Sequence, residues 1–162
     1  MYNYSNKIIE PSATRNPSIS IALPGAIAGG IILIVYFLLI SMLGYQTSTP
    51  LRFLNFVLLI PVIIYSLKTY VKNVKGKSYL EAFKIAVFSF FGAYLILAVF
   101  MFFYLVVIDR ELLVYLRTYV VPGVKLNAFG AAAMIIGEGA VGAVVLSFVV
   151  LQFFKDSLRR VA

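Results

Sequence analysis

The sequence predicts an all-α polytopic membrane protein with four transmembrane helices and a short outer interfacial amphipathic helix between helices 3 and 4. Three observations predict it. Hydrophobic residues make up 62% of the 162-residue chain and charged residues 12%, whereas a soluble domain is about half apolar and about a quarter charged. Mean hydropathy is +1.00, an excess that a water-soluble core of this size has no room to hide. The few charges also cluster, dividing the chain into four long apolar stretches.

A helix of about 20 residues crosses a hydrocarbon core of about 30 Å. The first span, residues 19–45, carries no charge between Arg15 and Arg52. The second, 51–70, is short, since its uncharged part from Phe53 to Leu67 covers about 22 Å. Arg52 and Lys68 at its ends can extend along the helix towards the headgroups. Pro61 in its middle predicts a kink. The third span, 80–108, is uncharged from Ile85 to Ile108, and the fourth, 126–154, is interrupted only by Glu138. One domain over residues 19–155 holds all four, flanked by a polar tail (1–18) and a basic tail (156–162). The first span has the length of an uncleaved insertion signal, and no small-residue cleavage site ends it.

Orientation follows from the cations. Lys7, Arg15, Lys68, Lys72, Lys75, Lys77, Lys84, Lys155, Arg159 and Arg160 fall on one side, and Arg52, Arg110, Arg117 and Lys125 on the other. The richer side faces the cytoplasm, which places both termini there. Topology also explains the net charge of +8, because these cations punctuate apolar spans and offer nucleic acid no soluble face. The lysine cluster Lys68, Lys72, Lys75, Lys77 and Lys84 could in addition hold anionic lipid headgroups.

Two connections carry local signals. In "GKSYLEAFK", Gly76 permits a turn, and Ser78 with Glu81 forms a capping-box pattern that starts the third helix near Tyr79. In "DRELLVYLRTYVVPGVKLN", Leu112, Leu113, Leu116, Tyr119 and Val120 recur at helical spacing, and Pro122-Gly123 ends the pattern. Residues 109–125 either lie as a helix on the outer membrane surface or form a loop ordered against the bundle.

The chain has no cysteine, histidine or tryptophan. That excludes disulfides, thiol nucleophiles, thiolate or imidazole metal sites, Ser-His-Asp triads and histidine-ligated haem. No catalytic, metal-binding or cofactor-binding residues are expected. The aromatic density of span three, including Phe88, Phe90, Phe91, Tyr94, Phe100 and Tyr104, could line a pigment or quinone cleft. Rings filling the core and the lipid-facing surface explain it more simply.

Small residues mark where helix backbones meet, since lipid offers little hydrophobic drive for helix association. Gly25 and Gly29, and Ala26 and Gly30, lie four apart in span one. In span four, Ala133 and Gly137 lie four apart and Gly139 and Gly142 three apart. These seams pack helices within the chain or between copies of it.

Glu138 is the candidate intramembrane polar site. It lies about 16 Å along the helix from Asn127, where an unpaired charge costs a few kcal/mol. Three readings stand: a neutral carboxyl bonded to another helix, a proton- or cation-handling group, and a contact with a partner subunit or lipid. The span sequences place no second ionisable group beside it. Neutral stations are Tyr36, Ser41, Asn55, Tyr65, Ser89, Tyr94, Tyr104 and Ser147.

A glycine-bearing first span, the short "LRFLNFVLLIPVIIYSLKTYVKN", the turn-and-cap "GKSYLEAFK", an outer amphipathic loop and a glycine-rich last span follow one another in order. This pattern resembles a family of four-span inner-membrane proteins of Gram-negative bacteria, known as a domain of unknown function. The resemblance covers about Gly25 to Lys155 and is most specific at the turn-and-cap segment. It implies the architecture and a bacterial inner-membrane location, and it transfers no catalytic residue. Glu138 matches none of its motifs. The expected function is a non-enzymatic scaffold or accessory subunit in the bilayer that assembles with itself or a larger membrane complex. The alternative is a small proton- or cation-coupled transporter or channel component that uses Glu138.

Overall fold

The computed structural model describes residues 17–45, 47–74, 78–120 and 126–159, which are almost entirely helical and contain no strand. Helix α1 spans Pro17–Met42, α2 Thr49–Asn73, and α3 Tyr79–Phe103, the last continued by a wider π-type turn over Tyr104–Ile108. The short α4, Arg110–Tyr115, runs into a second such turn over Leu116–Val120, and α5 spans Ala128–Arg159. Helices α1, α2, α3 with its added turn, and α5 are each long and apolar enough to cross a membrane. Both α1 and α2 run unbroken through an internal proline, Pro24 and Pro61 respectively.

Helix α3 is the hub, with α1, α2 and α5 all packed on it and α2 also touching α1 and α5. At one end of the bundle Ser18 of α1 donates to Glu81 of α3. At the other end Ser41 and Tyr104 hydrogen-bond at 3.0 Å. Helices α1 and α3 are therefore parallel. Side chains that a soluble protein would bury face outwards, such as Val141 at 68% and Phe153 at 82% exposure. Lipid is the solvent that accepts such a surface.

Glycines set the helix spacing. A Cβ at Gly29 would stand 2.9 Å from Ala93 Cβ, and one at Gly30 2.7 Å from Ile96 Cγ2. Gly92 of α3 answers Ala26 of α1 in the same way, at 2.7 Å. Gly25 backs onto Ser66 and Ser89. The Ser89 hydroxyl lies 3.0 Å from Ser66 Oγ and 3.3 Å from the Ala22 carbonyl oxygen, joining α1, α2 and α3 at one fully buried point. On α5, Gly139 admits the Tyr94 ring and Gly142 the Phe56 ring.

Two of the seam residues face outwards, away from the other helices of the chain. Ala133 is exposed, and Gly137 has no atom within 4 Å of where its Cβ would stand. Gly137 precedes Gly139 by two residues, about 200° round the helix, so turning Gly139 onto α3 turns Gly137 outwards.

The start of α3 is Tyr79, but the expected capping box does not form. Ser78 makes no side-chain cap bond. The Tyr70 hydroxyl accepts from the Ser78 amide at 2.9 Å and lies 3.3 Å from its carbonyl oxygen. Glu81 instead accepts from Ser18 and pairs with Lys84 at 3.0 Å. Lys68 and Lys72 project at the same end of the bundle, and Lys72 in the last turn of α2 complements the helix dipole. Lys75 and Lys77 lie outside the described residues, as does the Pro122-Gly123 pair.

Residues 110–120 are helical. Asp109 accepts from Leu112 N at 2.8 Å and caps α4. Leu112 is buried, whereas Leu113 and Leu116 are half-buried. Arg117 Nε donates to the Leu126 carbonyl, tying the segment to the start of α5.

Candidate functional site

Glu138 has an ionic partner on another helix. Arg52 Nη2 of α2 stands 3.8 Å from Glu138 Oε2 of α5. Sequence reasoning placed Arg52 at the membrane edge with its side chain reaching for headgroups. It turns into the bundle instead. Helix α2 begins at Thr49, one turn before Arg52, and the face that carries Arg52 also carries Asn55 and Phe56 towards α5. The sequence did hold a faint signal: Arg52 and Asn55, three apart, share a polar patch on one face of an otherwise apolar helix.

The pair is loose. At 3.8 Å the groups attract without a hydrogen bond. The side chains keep 41% (Arg52) and 33% (Glu138) of their surface accessible. Among the described residues each is the other's only ionic partner.

That accessible surface lines a cavity of about 360 Å³. Its lining mixes charged, polar and apolar side chains. Tyr94 lies about halfway along the 30-residue span Tyr79–Ile108 and forms the floor with Arg52, Asn55 and Glu138. Farther towards α4 the wall is apolar, built from Phe37, Leu97, Met101, Leu105 and Ile135. Tyr45, Thr47, Ser48, Tyr115 and Tyr119 make a polar rim, and Leu112 and Leu116 of the α4 segment lean over it. Tyr36 lines the cleft too, while its hydroxyl donates to the Leu51 carbonyl at 2.9 Å.

Below the floor the bundle is sealed by rings. Phe56, Phe90 and Tyr94 stack with centroids 5.2–6.1 Å apart. Gly139 and Gly142 let this stack press against α5, which explains one of the two glycines that flank Glu138; Gly137 has no such contact. Tyr94 is 1% exposed. Its hydroxyl is buried without a hydrogen-bond partner.

Of the other neutral stations, Ser89 belongs to the buried serine contact and Ser41 to the Tyr104 contact. Tyr65 is exposed. Ser147 is buried with no hydrogen-bond partner for its hydroxyl. Among the described residues no group of three or more potential acidic, histidine or cysteine ligands could hold a metal ion.

The arrangement can present a cation and an anion side by side, at mid-depth, to a small molecule entering past α4. No protein-family model matches this chain, and comparison with curated proteins and with solved structures gives no match.

Proposed function

We propose that this is a non-enzymatic protein of the bacterial cytoplasmic membrane that binds a small ligand in the Arg52–Glu138 cleft, as the membrane component of a transport or carrier system. One observation carries the reading: a charged pair lines a cavity inside a bundle of membrane-spanning helices. Placing charge at this depth is costly unless it is paired or wetted. A carboxyl kept only as glue between helices would be buried and fully bonded. Glu138 is a third exposed and makes no hydrogen bond to its partner. The cation bias supports cytoplasmic chain ends and, with them, an outward cleft mouth. Assembly with a second copy or a larger complex is a second reading, favoured by the outward-facing small residues Ala133, Gly137 and Ala140 on α5.

The absence of cysteine makes the test clean. Asn55→Cys should react from the outside of intact cells with membrane-impermeant thiosulfonates, whereas Ser147→Cys should not. Glu138→Gln should favour an anionic reagent over a cationic one at position 55, and Arg52→Gln the reverse, each on the order of tenfold. A thiol at position 55 that stays inert to external reagent would refute the reading.

A further inference from the structure

We propose that the cleft is a binding site for a small zwitterion with an apolar body, of the chemistry of an α-amino acid with a large aliphatic side chain. This rests on the cleft being an outward-open binding site and goes on to name its ligand class.

Three features of the site converge on that class. The first is charge. Arg52 and Glu138 face each other at 3.8 Å without a hydrogen bond. A lone anion drawn to the guanidinium meets the carboxylate beside it, and a lone cation drawn to the carboxylate meets the guanidinium. Either ligand would add an uncompensated charge to a low-dielectric site. A zwitterion adds none. Its carboxylate accepts from the guanidinium fork, whose donors suit bidentate capture, and its ammonium donates to the Glu138 oxygens. The ligand then inserts into the pair and replaces one loose contact by two hydrogen-bonded ones.

The second feature is the unspent hydrogen-bonding capacity at the floor. The Tyr94 hydroxyl is buried and unpartnered, and Tyr94 and Asn55 line the same cleft as Arg52 and Glu138. A buried polar group without a partner calls for one.

The third is the mix of polarity. The charged pair shares the cleft with an apolar wall of Phe37, Leu97, Met101 and Leu105. The charged head of the ligand therefore meets the pair while its apolar body lies against that wall. The volume of about 360 Å³ sits at the small end of ligand pockets, about 300–1,000 Å³, which suits a single amino-acid-sized molecule.

The test uses the full chain in lipid nanodiscs, with Asn55→Cys as reporter and Leu43→Cys, on the exposed α1–α2 connection, as control. The rate of thiosulfonate labelling is read with 2-aminooctanoate, octanoate, octylamine or octanol present. The zwitterion should protect the reporter thiol and leave the control thiol unaffected. The three single-function analogues should need about tenfold or more higher concentration for equal protection. Adding Arg52→Gln or Glu138→Gln to the reporter should weaken protection by the zwitterion by a similar factor, with labelling of the reporter itself retained. Equal protection by octanoate or octylamine would overturn the zwitterion assignment. So would rapid labelling that no compound slows, or protection that depends only on whether the discs contain phosphatidylethanolamine or phosphatidylglycerol. Failure of the reporter thiol to label at all would instead overturn the cleft reading on which this inference rests.

Discussion

Alanine at Gly139 and alanine at Gly137 should have opposite effects on stability, although the two sites lie two residues apart on one helix. At Gly139 the new Cβ would stand 2.5 Å from both Cβ and Cγ of Tyr94, and 2.8 Å from Cδ1. Carbon atoms at rest keep about 3.5–4.0 Å, so α3 and α5 must part by about 1 Å along that line or the ring must leave its stack. The atoms in the way are the root of a fully buried side chain packed against both Phe90 and Phe56, not the free end of a flexible one. Overpacking of this kind costs about 1–3 kcal/mol. At Gly137 nothing lies within 4 Å, and alanine removes the helix penalty of glycine, a gain of up to about 1 kcal/mol. That gain applies at Gly139 as well, so unfolding of the two variants in mixed detergent micelles, followed by circular dichroism, should separate them by the overpacking cost of about 1–3 kcal/mol. Equal stabilities, or a destabilised Gly137→Ala beside a neutral Gly139→Ala, would refute the packing of α5 on α3.

Two further outcomes follow from hydrogen bonds between Tyr94 and the Tyr79 end of α3. Ser89→Ala should cost about 0.5–2 kcal/mol in the same assay, because it strips the buried Ser66 hydroxyl of the partner that the structure gives it. Adding Ser66→Ala should recover part of that loss. Tyr70→Phe should leave the core packing intact but release the Ser78 amide and carbonyl, at about 1 kcal/mol. Faster amide exchange confined to the first turn of α3 would show it.

What local pattern can encode, the sequence carried. Uninterrupted apolar length located all four crossing helices, because a span must satisfy its own backbone within itself. Small-residue spacing found Gly25, Gly29, Gly30, Gly139 and Gly142 at helix contacts within the chain, whereas Ala133 and Gly137 face outwards, since a three- or four-residue spacing marks a face without saying which neighbour that face meets. The capping box failed for a similar reason. Ser78 and Glu81 have the right local spacing, yet Tyr70 and Ser18 reach them from other helices. Arg52 was the largest omission. A cation at the edge of an apolar run reads as topology, and its pairing with Glu138 depends on how α2 and α5 rotate about their own axes, which neither segment specifies alone. Gly92, opposite Ala26, was missed because one glycine in an aromatic-rich span makes no pattern.

The Arg52–Glu138 attraction is the point on which the functional account turns, and a double-mutant cycle with Arg52→Gln and Glu138→Gln measures it most directly. Two unit charges about 4 Å apart interact by about 1 kcal/mol in water and about 4 kcal/mol at an effective dielectric near 20. For a pair left 41% and 33% accessible, the stability of the four proteins in nanodiscs or mild detergent should give a coupling between those limits. Effects that add to within about 0.5 kcal/mol would mean that the two side chains do not meet, and the charged cleft would go with them.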